Sequence, residues 1–169
     1  MATVLIAHAS KYGSTHEVAE AIAATLRGPG LEIDVQPAAE VHDLAPYDAV
    51  VLGAGLYAGR PHRDARGFLR RHGAQLAELP VAVFGMGPLT LEAEDVEASR
   101  HQLEHALAKH PDLHPVAIRV FGGAIVPERM HFPFSQMQAA DARDWEAIRE
   151  WAREIAPLLT IPVREPVPA

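Results

Sequence analysis

A chain of 169 residues, 49% hydrophobic and 22% charged, is long enough for one well-buried core and close to the globular average, which excludes disorder, collagen-like repetition and coiled coil. The absence of cysteine removes disulfides, thiolate nucleophiles, Cys-ligated zinc and ordinary iron–sulfur clusters, so redox chemistry must come from another cofactor. A balance of 15 Lys+Arg against 22 Asp+Glu, formally -7 at pH 7, lacks the basic surface that phosphate backbones demand and argues against nucleic acid as a partner.

Taken in chain order, the first apolar run is Thr3 to Ala9, of strand length, with His8 read as a packed or edge histidine. Its centre is too brief for a signal-peptide core and no basic residue precedes it. Ser14-Thr15-His16-Glu17 then reads as a capping box, Ser14 satisfying one free amide while Glu17 reaches back to another. The helix it opens turns Val18, Ala19, Ile22, Ala23 and Leu26 inward and stops at Gly28-Pro29-Gly30. Glu32 to Gln36 is a second strand, Ala38 to Leu44 leaves room for only a short helix or turn, and Ala49 to Ala54 is a third strand. A helix from about Asp64 to His72 faces inward with Ala65, Phe68 and Leu69. Val81 to Gly85 is the fourth strand. The next helix, near Glu92 to Lys109, turns Val96, Leu103 and Leu107 to the sheet, and Pro115 to Phe121 is the fifth strand. A last helix opening near Asp141 carries Ile148, Ala152, Ile155 and Leu159 on one side, with Pro157 ending or kinking it.

Most of these strands are too uniformly apolar to have a wet face, and strands alternate with helices. The expected fold is α/β: a doubly wound, five-stranded parallel sheet with right-handed crossovers and helices on both faces. One domain over residues 1–160 is followed by a Pro-rich tail at 161–169. No stretch approaches the roughly 20 apolar residues of a spanning helix, so a cytoplasmic protein is expected, with peripheral membrane contact left open.

In such sheets ligands bind beyond the carboxyl ends of the strands. After the first strand, Ser10, Lys11, Tyr12, Gly13, Ser14 and Thr15 gather hydroxyls and unpaired amides at the positive end of a helix, a setting that suits a phosphate. A plain turn before a capped helix accounts for them equally well. The run is not a Walker A loop. Gly53-Ala54-Gly55-Leu56-Tyr57-Ala58-Gly59 misses the dinucleotide spacing and follows the wrong strand. His101 and His105 share the i, i+4 spacing of a ligand pair, but without an arranged third ligand no metal is expected.

The first loop with Gly13 to Ile22, and the stretch Tyr47 to Arg60, resemble the phosphate loop and second flavin loop of the flavodoxin superfamily. The likeness continues through Val81 to Pro88 and Val120 to Gly123, closest to the flavodoxin-domain branch that includes bacterial menaquinone-dependent protoporphyrinogen oxidase. Ala54 and Gly55 stand where relatives often have Ser and Pro. The resemblance implies strand order 2-1-3-4-5, FMN as cofactor, and a site made by Ser10 to Thr15, by Gly55, Leu56, Tyr57, Ala58, Gly59 and Arg60, and by Gly85, Met86 and Gly87. Tyr57 would stack on the ring, and Arg60 would lie near its N1/O2 edge and raise its potential.

Arg60, Arg63, Arg66, Arg70 and Arg71 form a local positive face in an acidic chain, fit for an acidic redox protein, porphyrin propionates or anionic lipid, or simply solvated. Met130, Phe132, Phe134 and Met137 make an apolar loop that caps the flavin, touches a quinone or packs on the sheet edge. The leading expectation is an FMN-binding oxidoreductase acting on a small-molecule, quinone or porphyrinogen substrate. A one-electron carrier that docks with redox proteins and a cofactor-free scaffold domain are the alternatives.

Overall fold

Runs of β-branched and aliphatic residues form the strands β1 (Thr3–Ala9), β2 (Glu32–Pro37), β3 (Ala49–Tyr57), a short β4 (Arg60–Pro61), β5 (Val81–Met86) and β6 (Ala117–Phe121), followed by a separate pair, β7 (Ala124–Ile125) and β8 (Ala140–Asp141). This computed structural model describes residues 1–28 and 30–162, excluding the side chain of Phe134; Pro29 and residues 163–169 of the expected Pro-rich tail lie outside the described residues. The sheet order is β2-β1-β3-β5-β6, all parallel, with β4 paired antiparallel to β3. Counting parallel strands alone, that is the expected order 2-1-3-4-5.

Four helices, α1 (Ser14–Arg27), α2 (Arg63–Leu76), α3 (Ala93–Leu107) and α4 (Trp145–Ile155), cover the sheet on both sides. Because successive strand residues face opposite ways, Val4, Ile6, Val51 and Phe84 pack beneath Val18, Ile22, Leu26, Ile148, Trp151 and Ile155 of α1 and α4. Leu5, Val50, Leu52 and Val83 pack beneath Phe68, Leu69, Leu103 and Leu107 of α2 and α3. Each large side chain buried this way contributes about 1.5–3 kcal/mol, which outweighs any local propensity.

Several expectations are revised. Ser14 is the first helical residue of α1 and not its cap: Gly13, at φ +85°, takes that position and no side chain caps the helix. Glu17 does not reach back to the backbone because two guanidinium groups, Arg129 and Arg143, claim its carboxylate. Strand β3 runs three residues beyond Ala54 and turns at Ala58 (φ +49°) and Gly59 (φ +79°) into β4. Two consecutive positive φ values are what a tight two-residue hairpin needs. The sequence reading missed this hairpin and the β7–β8 pair. The last helix, expected to open near Asp141, begins at Trp145 and is capped by Asp144, which accepts from the Ala147 amide. Pro157 follows the end of α4 at Ile155.

Candidate functional site

The carboxyl ends of β1, β3 and β5 and the start of α1 converge on a cavity of about 270 Å³. Its walls include Lys11, Tyr12 and Ser14 from the first loop, Gly55, Leu56 and Tyr57 from β3, and Met86, Gly87 and Leu89 after β5. Gly123, Ala124, Ile125 and Met130 close the far side. A second, wider cavity of about 520 Å³ adjoins it, sharing Lys11 and Tyr57 and lined also by Ala58, Arg60, Pro61, His62, Arg63 and Arg66. Another hollow, of about 530 Å³, lies by Met1, Tyr47 and Pro80 at the amino ends of the strands, away from the α1 N-terminus.

The first loop leaves several donors unpaired at the start of α1. Ser10 Oγ accepts from the Gly13 amide at 3.1 Å, which folds the loop so that Gly13 can enter the left-handed region. Among the described residues, the amides of Ser14, Thr15 and His16 have no acceptor; the first helical bond here runs from the Glu17 amide to the Gly13 carbonyl. Thr15 is fully buried and its Oγ1 has no hydrogen-bond partner. Free amides at a helix start and an orphaned buried hydroxyl are the groups that bind a phosphate monoester.

Tyr57 folds back over Gly55. A Cβ on Gly55 would stand 2.7 Å from the Tyr57 ring, so only glycine permits this packing. The phenol oxygen accepts from the Lys11 amide at 3.0 Å and ties the hairpin to the first loop. Burial pushes the Tyr57 phenol pKa up against the opposing effect of that amide, so the group stays protonated. His62 meets the Tyr57 ring edge-on at 5.9 Å between centroids, and burial lowers its pKa despite the nearby Asp64. Its Nδ1 accepts from the Asp64 amide and starts α2.

Other residues singled out from the sequence fall elsewhere. Gly85 is buried within β5, where an added Cβ would press on Leu56 and Leu103 at 3.3 Å; it serves packing and does not line the cavity. Arg71 donates to the Ala38 carbonyl, away from the arginines that line the second cavity. Met130 lines the main cavity, whereas Phe132 is 77% exposed. The sequence reading missed Leu89, Ile125, Arg129 and Arg143. Arg129 Nη1 donates to Glu17 at 2.5 Å and to the Tyr12 carbonyl at 3.3 Å. Arg143 bridges Glu17 at 2.9 Å and Asp141 at 2.7 Å and stacks over Trp145. Burial works to raise the Glu17 pKa, but hydrogen bonds from Arg129 and Arg143 outweigh it and hold the carboxyl below its ordinary value. These partners are more than 100 residues apart, and no local spacing marks them.

A sequence profile described as a flavodoxin domain matches residues 5–137. The chain belongs to the flavodoxin-domain family. It is 26% identical over 178 residues to protoporphyrinogen IX dehydrogenase [quinone] of Escherichia coli K12, covering 94% of this chain and 97% of that protein. Over a shorter stretch, 43% of this chain and 48% of the relative, it is 34% identical to an NAD(P)H dehydrogenase (quinone) of Paraburkholderia phymatum. Among solved structures, a flavodoxin variant of Pseudomonas aeruginosa aligns with TM-score 0.62 at 19% identity, covering 93% of this chain and 98% of that one. FMN is the cofactor of flavodoxin-domain proteins, and membership makes this chain a flavodoxin-like oxidoreductase.

The residues present fit that cofactor. The free amides and Thr15 hydroxyl suit its phosphate, and Leu56, Met86, Leu89, Ile125 and Met130 with Tyr57 supply the apolar walls a planar ring system needs. Among the described residues no helix is long and apolar enough to cross a membrane.

Proposed function

We propose that the chain oxidises an anionic, ring-shaped reductant of the porphyrinogen class and passes the electrons to a quinone. The carrying observation is that the apolar cavity adjoins, across Tyr57, a wider one lined by Lys11, Arg60, Arg63 and Arg66. FMN supplies, when bound, a centre that takes two electrons from one molecule and yields them to another. The protein's part is to bind, orient and exclude water. Ser10 to Thr15 hold the phosphate, Tyr57 offers an aromatic face, and Gly55 to Arg60 with Met86 and Gly87 surround the ring. The four cations receive carboxylates of the reductant in a chain otherwise acidic, and Leu89 and Met130 offer an apolar approach to the quinone. Each pair of electrons and protons leaving the reductant converts one quinone to its quinol, so the exchange balances.

Arg60, at the hairpin's end, holds a positive charge beside the cavity; Arg60→Ala lowers the flavin midpoint potential if that charge favours the anionic reduced cofactor. An unchanged potential removes Arg60 from this role. The reading as a whole is tested by reconstituting the purified protein with FMN, then mixing it without oxygen with porphyrinogen and a quinone while following porphyrin fluorescence. Turnover above that of free FMN, weakened in KM by Arg63→Ala with Arg66→Ala, supports it. FMN binding without turnover of either substrate points instead to an electron carrier, and failure to take up FMN overturns the redox reading altogether.

A further inference from the structure

The segment that closes the far wall of the cavity also brings a cation to the α1 N-terminus. Arg129 follows β7, one residue before Met130 of the cavity lining, and its Nη1 lies 3.5 Å from where a Cβ on Gly13 would stand. It touches the loop itself, through the Tyr12 carbonyl, and the first turn of the helix, through Glu17. Its neighbour in the same ion network behaves differently. Arg143 commits Nε, Nη1 and Nη2 to Asp141 and Glu17 and its side chain is 7% exposed. Arg129 commits only Nη1, and its Nε and Nη2 have no acceptor among the described residues. Arg143 is therefore a saturated structural tie, whereas Arg129 keeps donors and charge in reserve at the mouth of a cradle whose own amides and Thr15 hydroxyl are unsatisfied.

We infer that Arg129 is a phosphate-binding residue for the cofactor, and that Glu17 regulates it by competing with the phosphate for the guanidinium. This rests on the FMN reading and adds to it a long-range cation and its internal competitor. A carboxylate within hydrogen-bond reach of that guanidinium both neutralises it and opposes an incoming dianion. Arg129 thus contributes to phosphate affinity through shared hydrogen bonding, and Glu17 sets how much of its charge the phosphate receives. It follows that Glu17, although the acidic residue of the first helical turn, weakens cofactor binding while tethering residues 122–143 to α1.

The discriminating pair of ligands is FMN and riboflavin, which share a ring and differ in the phosphate. Titration of the full chain by quenching of flavin fluorescence gives both dissociation constants. Arg129→Gln is expected to weaken FMN about tenfold, equivalent to about 1.4 kcal/mol, and leave riboflavin unchanged. It also flattens the dependence of FMN affinity on salt. Glu17→Gln is expected to tighten FMN several-fold, with a smaller gain when Arg129→Gln is already present. Circular dichroism of each variant establishes that it is folded. A parallel loss for both ligands in Arg129→Gln, or weaker FMN binding in Glu17→Gln, shows a purely structural tether and overturns the inference. A wild-type chain that binds FMN as Arg129→Gln does refutes it alone, whereas one that binds neither flavin refutes the functional reading with it.

Discussion

His8 shows how one side chain reports its surroundings. It lies on β1 between Pro37 and Gly53 of the neighbouring strands and stacks on His16 of α1 at 4.5 Å between centroids, with 11° between planes. Burial first, and then the adjacent His16 ring, push its pKa from 6.5 down to about 4, against a smaller opposing pull from Glu20. A base whose folded pKa is depressed is neutral in the native state while the unfolded chain binds its proton earlier. The stability it carries is therefore complete above about pH 6.5 and is lost as pH falls toward 4. Because the ring is only partly shielded, solvent screens the effect and the loss is smaller than the full shift would give. An NMR titration of the His8 ring is expected to give a midpoint near 4, and a midpoint at 6 or above contradicts the stacked, buried environment. In His8→Phe, which keeps a flat ring, the urea midpoint falls less between pH 7 and 4 than in the wild type.

The packing of β3 against β5 leads to a sharper expectation. Gly53 and Phe84 are partners in register, and a Cβ on Gly53 would fall 2.1 Å from the Phe84 ring, which is itself wedged against Phe121 and Trp151. Nothing there can yield cheaply. Gly53→Ala is expected to cost about 3 kcal/mol and lower Tm by roughly 6–12 °C. Gly73, on α2 with no atom within 4 Å of its virtual Cβ, is the opposite case. Gly73→Ala stabilises by about 0.5–1 kcal/mol through helix propensity, so thermal melts of the two variants should move in opposite directions. These elements also mark what could be read before folding. The parallel strands were legible because an apolar run covered on both faces has few other interpretations, whereas the hydroxyl-rich loop before α1 fitted an anion site and a plain turn equally well. The Ser14–Glu17 capping box was misread because the local pattern is correct, while Glu17's partners, Arg129 and Arg143, come from a segment without periodicity. The Ala58-Gly59 turn was missed because alanine is an unusual residue at positive φ.

At the scale of the whole molecule, the link between residues 122–143 and α1 makes acid stability and cofactor binding two readings of one structure. Asp141, held below its ordinary pKa by hydrogen bonds from Arg143, and Glu17 are both depressed acids. Their contribution is present above the ordinary values of 3.8 and 4.5 and disappears as pH falls through the lower folded values. Asp141→Asn is expected to shallow the acid limb of a stability profile below about pH 4.5; an unchanged limb denies the network a part in holding the segment. FMN acts on the same closure from inside. In the proposed site it meets the first loop, the β3 hairpin and the far wall, contacts that exist together only in the native fold, so mass action must raise stability. At 100 times the dissociation constant the gain is about 2.7 kcal/mol, which for a chain of this length is roughly 5–11 °C in Tm. Replacing Ser14 and Thr15 together by alanine should erase most of that rise at the same FMN concentration, because the substitutions weaken the phosphate grip. The ligand-free melt should move far less, since Thr15 Oγ1 has no partner to lose. A Tm that climbs equally with FMN in the wild type and the double variant would place the phosphate somewhere other than the start of α1.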